Sequence, residues 1–311
     1  MKPEVLEWDD NTVIRIADGM TQENFDALVK EKYDEVCLLG GDFDDLSAFA
    51  ELNNKIKRLY VSGDGIYDLN GIYQLRQLKC LRLETCAKFL PDKQQLDFSE
   101  FPILEECHIF WRKEYSRNVF ASPKLRTVVM FSYDKKTFEE IAQAKSLRSV
   151  SLLQSATENL KGIESLNSLE SLEFYQMTKL SDIGNLPRLK RLKELKISKT
   201  RSLSLLSLLP IFEVPSLEYL SFGAGYEFPN LEPFAQLTSL KEFITSSQLV
   251  IQDFSPLFKL KKLKLARFIA LRNFVADEKE LRELAKSLGR KLKIEIIGKG
   301  RKEQTVTFML S

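Results

Sequence analysis

The sequence predicts an α/β solenoid built from stacked short repeats, and three observations carry that expectation. A leucine-x-x-leucine-x-leucine pattern, or a close variant, recurs eleven times at spacings of 20 to 26 residues, starting at Tyr33, Ile56, Leu78, Leu104, Leu125, Leu147, Leu169, Leu192, Leu217, Leu240 and Leu260. The segments between these patterns keep a three-residue apolar period of their own. The two ends of the chain break both rhythms and read as caps. One such unit is too short to bury its apolar side alone, so the units must stack on their neighbours around a continuous core.

Taken in order, residues 1–32 form the expected N-terminal cap. Val5 to Trp8 and Thr12 to Ile16 are β-type segments around the turn-forming Asp9-Asp10-Asn11, which predicts a hairpin. Thr21 then reads as the N-cap of a helix carrying Phe25, Leu28 and Val29 on one side. Residues 33–270 hold the eleven repeats. In each, the pattern leucines point inward and the intervening residues point outward, because side chains on a strand change face with period two. The connectors run as Ile66, Leu69, Ile72, Leu75, Leu78 and Leu81, and again as Leu180, Ile183, Leu186, Leu189, Leu192 and Leu195. A period of three eclipses i and i+3 as a 3-10 turn does, which predicts a tight return rather than a full α-helix. Residues 271–311 form the C-terminal cap. Asp277 with Glu280 starts a helix striped by Leu281, Leu284 and Leu288 and stopped by Gly289. Leu292 to Ile297 and Thr305 to Leu310 then form a hairpin around Gly298-Lys299-Gly300-Arg301.

With these motifs, such as Leu78-x-x-Leu81-x-Leu83 and Leu192-x-x-Leu195-x-Ile197, residues 33–270 resemble the leucine-rich-repeat family in its short, 22-residue class. The resemblance implies a curved horseshoe with a parallel concave β-sheet, a convex side of 3-10 and short turns, and a role in binding other molecules. Two departures stand out. The family's asparagine after the strand is replaced by Gly41, Asp64, Cys86, Arg112, Tyr133, Ser155, Met177, Thr200, Gly225, Gln248 and Phe268, so its side-chain ladder is expected to be weak. The spacing also widens before Leu104, which places an insertion near Pro91 to Glu100 on the convex side.

Composition narrows the class further. With 44% hydrophobic and 29% charged residues, the chain has the balance of an ordinary water-soluble protein. The start shows no basic segment followed by an apolar stretch, and the leucine-rich run from Leu203 to Ile211 is too short to span a bilayer. A cytoplasmic location with no membrane contact is expected. Cys37, Cys80, Cys86 and Cys107 contain no C-x-x-C pair and read as free thiols. Charge is polarised: residues 1–54 hold 14 acids against 4 bases, and residues 259–302 hold 15 bases against 5 acids.

The outward strand positions map a candidate binding face. One column runs Cys37, Tyr60, Arg82, His108, Val129, Ser151, Glu173, Lys196, Ser221, Ile244 and Lys264; the next runs Leu39, Ser62, Glu84, Phe110, Phe131, Leu153, Tyr175, Ser198, Gly223, Ser246 and Ala266. Phe110, Phe131, Leu153 and Tyr175 share one column in four consecutive repeats, so at about 4.8 Å per strand they predict an apolar ribbon roughly 15 Å long. Val129 lies beside it, with Trp111 and Tyr133 at its margin. Tyr60, Arg82, Glu84, Glu173 and Lys196, with Arg58 and Glu106, supply a polar and charged rim, the usual anatomy of a protein interface. The alternative is that Cys86 to Phe101 or Lys113 to Phe120 folds over the ribbon and buries it.

Chemistry is poorly supported. The single histidine, His108, argues against a multi-histidine metal site, and no phosphate-binding glycine motif occurs. A Cys80 with His108 pair is conceivable as a nucleophile and base, but a flat sheet offers no oxyanion pocket. No cofactor is expected. The reading is therefore a non-enzymatic scaffold binding a protein partner on the sheet, in the manner of an inhibitor, an immunity protein or an adaptor. Its alternative is a ligand bearing phosphate, or nucleic acid, held by Lys259, Lys261, Lys262, Lys264, Arg267, Arg290, Lys291 and Lys293.

Overall fold

A computed structural model describes residues 3–8, 11–40, 43, 46–62, 70–83, 96–112, 116–298 and 303–311. The chain divides into two compact units, residues 1–134 with 140–148 and residues 135–139 with 149–311.

The first unit contains β1 (Glu4–Trp8), β2 (Asn11–Ala17), α1 (Gln22–Lys30), β3 (Glu35–Leu39), β4 (Arg58–Ser62), β5 (Cys80–Leu83), β6 (Glu106–Phe110) and β7 (Thr127–Phe131). β1 and β2 form an antiparallel hairpin, and β2 through β7 pair in parallel in chain order. α1 starts at Thr21, whose hydroxyl accepts from the Asn24 backbone N–H. Because β2 already pairs with β3 in repeat register, the N-terminal cap is itself half a repeat.

The second unit contains β8 (Ser149–Leu153), β9 (Ser171–Tyr175), β10 (Glu194–Ser198), β11 (Tyr219–Phe222), β12 (Glu227–Phe228), β13 (Glu242–Thr245), β14 (Gln248–Leu249), α2 (Ser255–Phe258), β15 (Leu265–Leu271), α3 (Glu278–Ser287), β16 (Leu292–Ile297) and β17 (Gln304–Leu310). Its sheet runs β8-β9-β10-β11-β13-β15-β17-β16, parallel as far as β15 and antiparallel across the final hairpin. β12 and β14 make a separate two-stranded ribbon. α3 starts at Asp277, whose carboxylate accepts from the Lys279 and Glu280 N–H groups.

The connectors follow the three-residue period. Leu166 N–H donates to Ile163 O and Leu169 N–H to Leu166 O, at 2.9 and 3.0 Å, and all three side chains are fully buried. Such consecutive i to i+3 bonds are what a 3-10 return requires. Repeats approach closely at Gly162 (φ +98°), where a Cβ would lie 2.8 Å from Glu139 Cα.

The hydroxyls of Ser155 and Thr200, which stand at the family's asparagine position, donate to the carbonyls of Leu153 and Ser198 at 3.1 and 3.2 Å. Two repeats thus replace the amide with a buried hydroxyl bond. The last repeat is out of the expected register. Phe243 pairs with Ala266 and Ile244 with Arg267, so its pattern starts at Leu263 rather than Leu260. Lys264 and Ala266 therefore leave the outward columns, and Arg267 and Ile269 take their places. A left-handed residue at the seventh place after the pattern start agrees: Gln154, Gln176 and Lys199 follow Leu147, Leu169 and Leu192, Ala270 follows Leu263, and all four have φ of +52 to +55°. Residues 91–95 of the insertion near Pro91 to Glu100 lie outside the described residues; its last three residues, Phe98–Glu100, form a 3-10 turn with Phe98 buried.

Candidate functional site

On the first unit, the outward face of β6 and β7 presents Phe110 and Phe131 as directly paired residues. Their rings stack with centroids 4.7 Å apart and an interplanar angle of 25°. Both are half-buried, as are His108 and Val129 in the adjoining column. On the second unit, Leu153 of β8 and Tyr175 of β9 are likewise directly paired and half-buried. Lys199 holds the Tyr175 ring, donating from Nζ to the phenol oxygen at 2.7 Å and standing 5.0 Å from the ring centroid. Glu173 accepts from Ser151 Oγ at 3.0 Å. Lys196 Nζ lies 2.5 Å from Glu194 Oε1 and 5.5 Å from the Tyr219 ring.

Trp111 does not sit on this face. It is 6% exposed, stacked on Phe120 and edge-on to the fully buried Tyr133. In the neighbouring repeats the equivalent residue adopts a left-handed backbone that turns it outward, as at Ser132 (φ +57°). Trp111 is not among the left-handed residues, so it keeps the strand's alternation and points into the core. Glu84 and Cys86 lie outside the described residues, as do 113–115 of the segment expected to cover the ribbon. Phe101 and Phe120, the ends of the two expected covering segments, are core residues.

The strand face of the first unit also carries an ion-pair network that column reading named only in pieces. Glu35, Arg58, Arg82 and Glu106 come from β3, β4, β5 and β6. Arg58 lies 3.3 Å from Glu35 and 3.1 Å from Glu106. Arg82 lies 3.8 Å from Glu35 and 2.9 Å from Glu106. Two cations and two anions thus close a ring in which each carboxylate touches both guanidinium groups. His108 Nε2 approaches the same Glu106 carboxylate at 2.9 Å. Burial alone would raise the Glu106 carboxyl, but hydrogen bonds from His108 and Arg82, with the Arg82 and Arg58 charges, hold it far below the usual carboxylate range. Sequence reading places Arg58 and Glu106 in the charged rim and misses Glu35; all three share the strand position two before that of Arg82 and His108. The available signal was opposite charges in that column, Glu35 beside Arg58 and Glu106 beyond Cys80.

Cys80 lies beneath this ring and is fully buried. Burial first, and then the Glu106 charge, push its thiol up to about 12, against the lowering effect of Arg58 and Arg82. A buried thiol with a raised pKa is a poor nucleophile, which weighs against the Cys80 with His108 pair. Cys37, Cys80 and Cys107 are unpaired and buried. Beside the ring, Leu6, Val13, Leu39, Tyr60, Arg15 and Arg82 help line a concavity of about 530 Å³ that is mostly apolar with charged margins.

In the second unit the basic residues separate into two groups. Lys261, Lys262, Lys264 and Arg290 converge on one concavity, while Arg267 is hydrogen-bonded to Thr307 Oγ1 at 3.3 Å and Lys293 to Glu295 at 2.7 Å. No helix among the described residues is long and apolar enough to cross a membrane.

No family model matches the sequence, and no curated protein matches it. Solved structures do match in fold. An internalin from Listeria monocytogenes aligns at 16% identity over 88% of this chain and 84% of its own, with a TM-score of 0.58. A leucine-rich-repeat protein from Leptospira interrogans aligns at 17% identity over 86% of this chain and 79% of its own, with a TM-score of 0.52. Together with the repeated strand, left-handed turn and 3-10 return, these likenesses establish that the chain is, by fold, a leucine-rich-repeat protein.

Proposed function

We propose that this chain is a protein-binding scaffold whose outward strand face captures a protein partner, with the Phe110 and Phe131 pair as the principal anchor. The observation that carries this reading is the stacked aromatic pair left half-buried on a strand face. Aromatic side chains supply large contact area at low entropic cost and dominate interface hot spots. The ring of Glu35, Arg58, Arg82 and Glu106, with Tyr60 and the apolar concavity beside it, provides a rigid polar margin. On the second unit, Leu153, Tyr175, Glu173 and Lys196 offer a further contact patch of the same anatomy. Whether the role is that of an inhibitor, an immunity protein or an adaptor depends on the partner.

The test begins with affinity capture and identification of a partner, followed by titration calorimetry with Phe131→Asp and Tyr175→Asp. Loss of roughly tenfold or more in affinity for Phe131→Asp, with unfolding unchanged, supports the anchor. Unaltered affinity in both variants refutes the strand face as the binding surface.

A further inference from the structure

The structure assigns a second, chemically different site to the cationic concavity of the second unit: we propose that it binds a compact anion carrying two or more linked phosphate groups. Lys241, Lys261, Lys262, Lys264 and Arg290 line a space of about 430 Å³ together with Leu310 and Ser311, so five cationic side chains face it and no Asp or Glu side chain does.

The cause is a broken alternation. The residue after the first pattern position runs Glu170, Lys193, Glu218, Lys241 and Lys264 on successive repeats, with each backbone N–H donating to the carbonyl of the one before at 2.7–2.8 Å. Cation and anion alternate along these rungs. Lys193 pairs with Glu170 at 3.1 Å and Lys241 with Glu218 at 2.6 Å. At the next rung Lys264 follows Lys241, so the alternation of these four rungs ends in two adjacent cations. Lys261 and Lys262, on the turn just before it, add two more cations, and among the described residues none of the three has an ion-pair partner. Glu218, the partner of Lys241, also feels the Lys262 charge. The hydrogen bond from Lys241, with the Lys241, Lys193 and Lys262 charges, holds its carboxyl below the usual range.

Arg290 completes the wall in a fixed orientation. Its guanidinium donates to Leu260 O at 2.5 Å and to Leu263 O, so the carbonyls of the turn hold it in place without neutralising it. Burial lowers its pKa, as expected for a guanidinium bonded to neutral carbonyls and not to an anion. One planar guanidinium and several mobile ammonium groups around a space of this size suit two or three linked phosphates better than one. Arg267 and Lys293 are outside this lining, bonded to Thr307 Oγ1 and to Glu295.

The full chain is titrated calorimetrically, in a phosphate-free buffer of low ionic strength, with tripolyphosphate, adenosine triphosphate, orthophosphate and a twelve-nucleotide single-stranded DNA. The expected result is tripolyphosphate bound at least about tenfold more tightly than orthophosphate, with affinity falling as salt rises. Equal affinity for the triphosphate nucleotide indicates that the phosphates alone are read; tighter binding indicates a nucleotide source. Lys262→Glu with Lys264→Glu weakens tripolyphosphate binding at least about tenfold, and Phe131→Asp leaves it unchanged, which separates this site from the strand face. Circular dichroism melting of the double variant checks the fold, and Lys262→Gln with Lys264→Gln gives an intermediate loss if charge is the cause. Absence of tripolyphosphate binding, affinity unaffected by either double variant, or retention of DNA alone overturns the proposal.

Discussion

Replacing Glu106 by Gln tests whether the ring on the first unit's strand face is a rigid element. Glu106 accepts from Arg82 at 2.9 Å and Arg58 at 3.1 Å and faces His108 at 2.9 Å. The neutral amide leaves two guanidinium groups facing each other with Glu35 as their remaining carboxylate in the ring. Removing one partner of a fully buried pair costs about 3–5 kcal/mol, and an exposed pair is worth ~0.2–1 kcal/mol. Here the carboxylate side chains are 13% and 21% exposed and the arginine side chains 30% and 34%, which places the loss between those limits, at about 2 kcal/mol. At roughly 2–4 °C per kcal/mol, the melting midpoint falls by about 4–8 °C. The pH dependence has a definite sign. A carboxyl depressed in the folded state contributes stability that is fully present above its unfolded value, near ~4.3, and is lost as pH falls toward the folded value. Urea titrations from pH 7 down to pH 3 therefore show a steeper acid loss in the wild type than in Glu106→Gln. A difference below about 0.5 kcal/mol at pH 7, or parallel acid limbs, refutes the ring as a coupled network.

Other outcomes follow from burial. Trp111→Ala lowers stability by about 3–5 kcal/mol in urea unfolding, as deletion of a packed aromatic does, and a loss under about 1 kcal/mol contradicts its placement in the core. Leu172→Ala, at a fully buried pattern position, costs about 2–5 kcal/mol by the same measure. Gly162→Ala forces a Cβ against the Glu139 backbone and demands a positive φ of a non-glycine residue, so it destabilises by at least about 1 kcal/mol; an unchanged urea midpoint contradicts that close approach. Cys37, Cys80 and Cys107 resist a thiol reagent in the folded protein and react in urea, and rapid labelling of Cys80 without denaturant contradicts its burial and raised pKa.

The repeat pattern by itself determined the class of fold, because an apolar residue at nearly every inward strand position and a three-residue period in several connectors leave few other ways to bury so much apolar surface. It also put Phe110 opposite Phe131 and Leu153 opposite Tyr175, since strand alternation is a local rule. Four matters were decided only by the tertiary structure. The final repeat begins at Leu263 because Leu257, Leu260 and Leu263 all satisfy a three-residue spacing, and only the hydrogen-bond register with β13 distinguishes them. Trp111 goes inward because the residue after a strand faces out only where the backbone turns left-handed, a choice that packing against Phe120 and Tyr133 settles. The closed ring of Glu35, Arg58, Arg82 and Glu106 depends on four side chains from four strands meeting within 4 Å, and the basic pocket depends on Arg290 returning from the cap to the turns it covers. Spacing along the chain fixes which face a side chain occupies; distances across it set which charges meet.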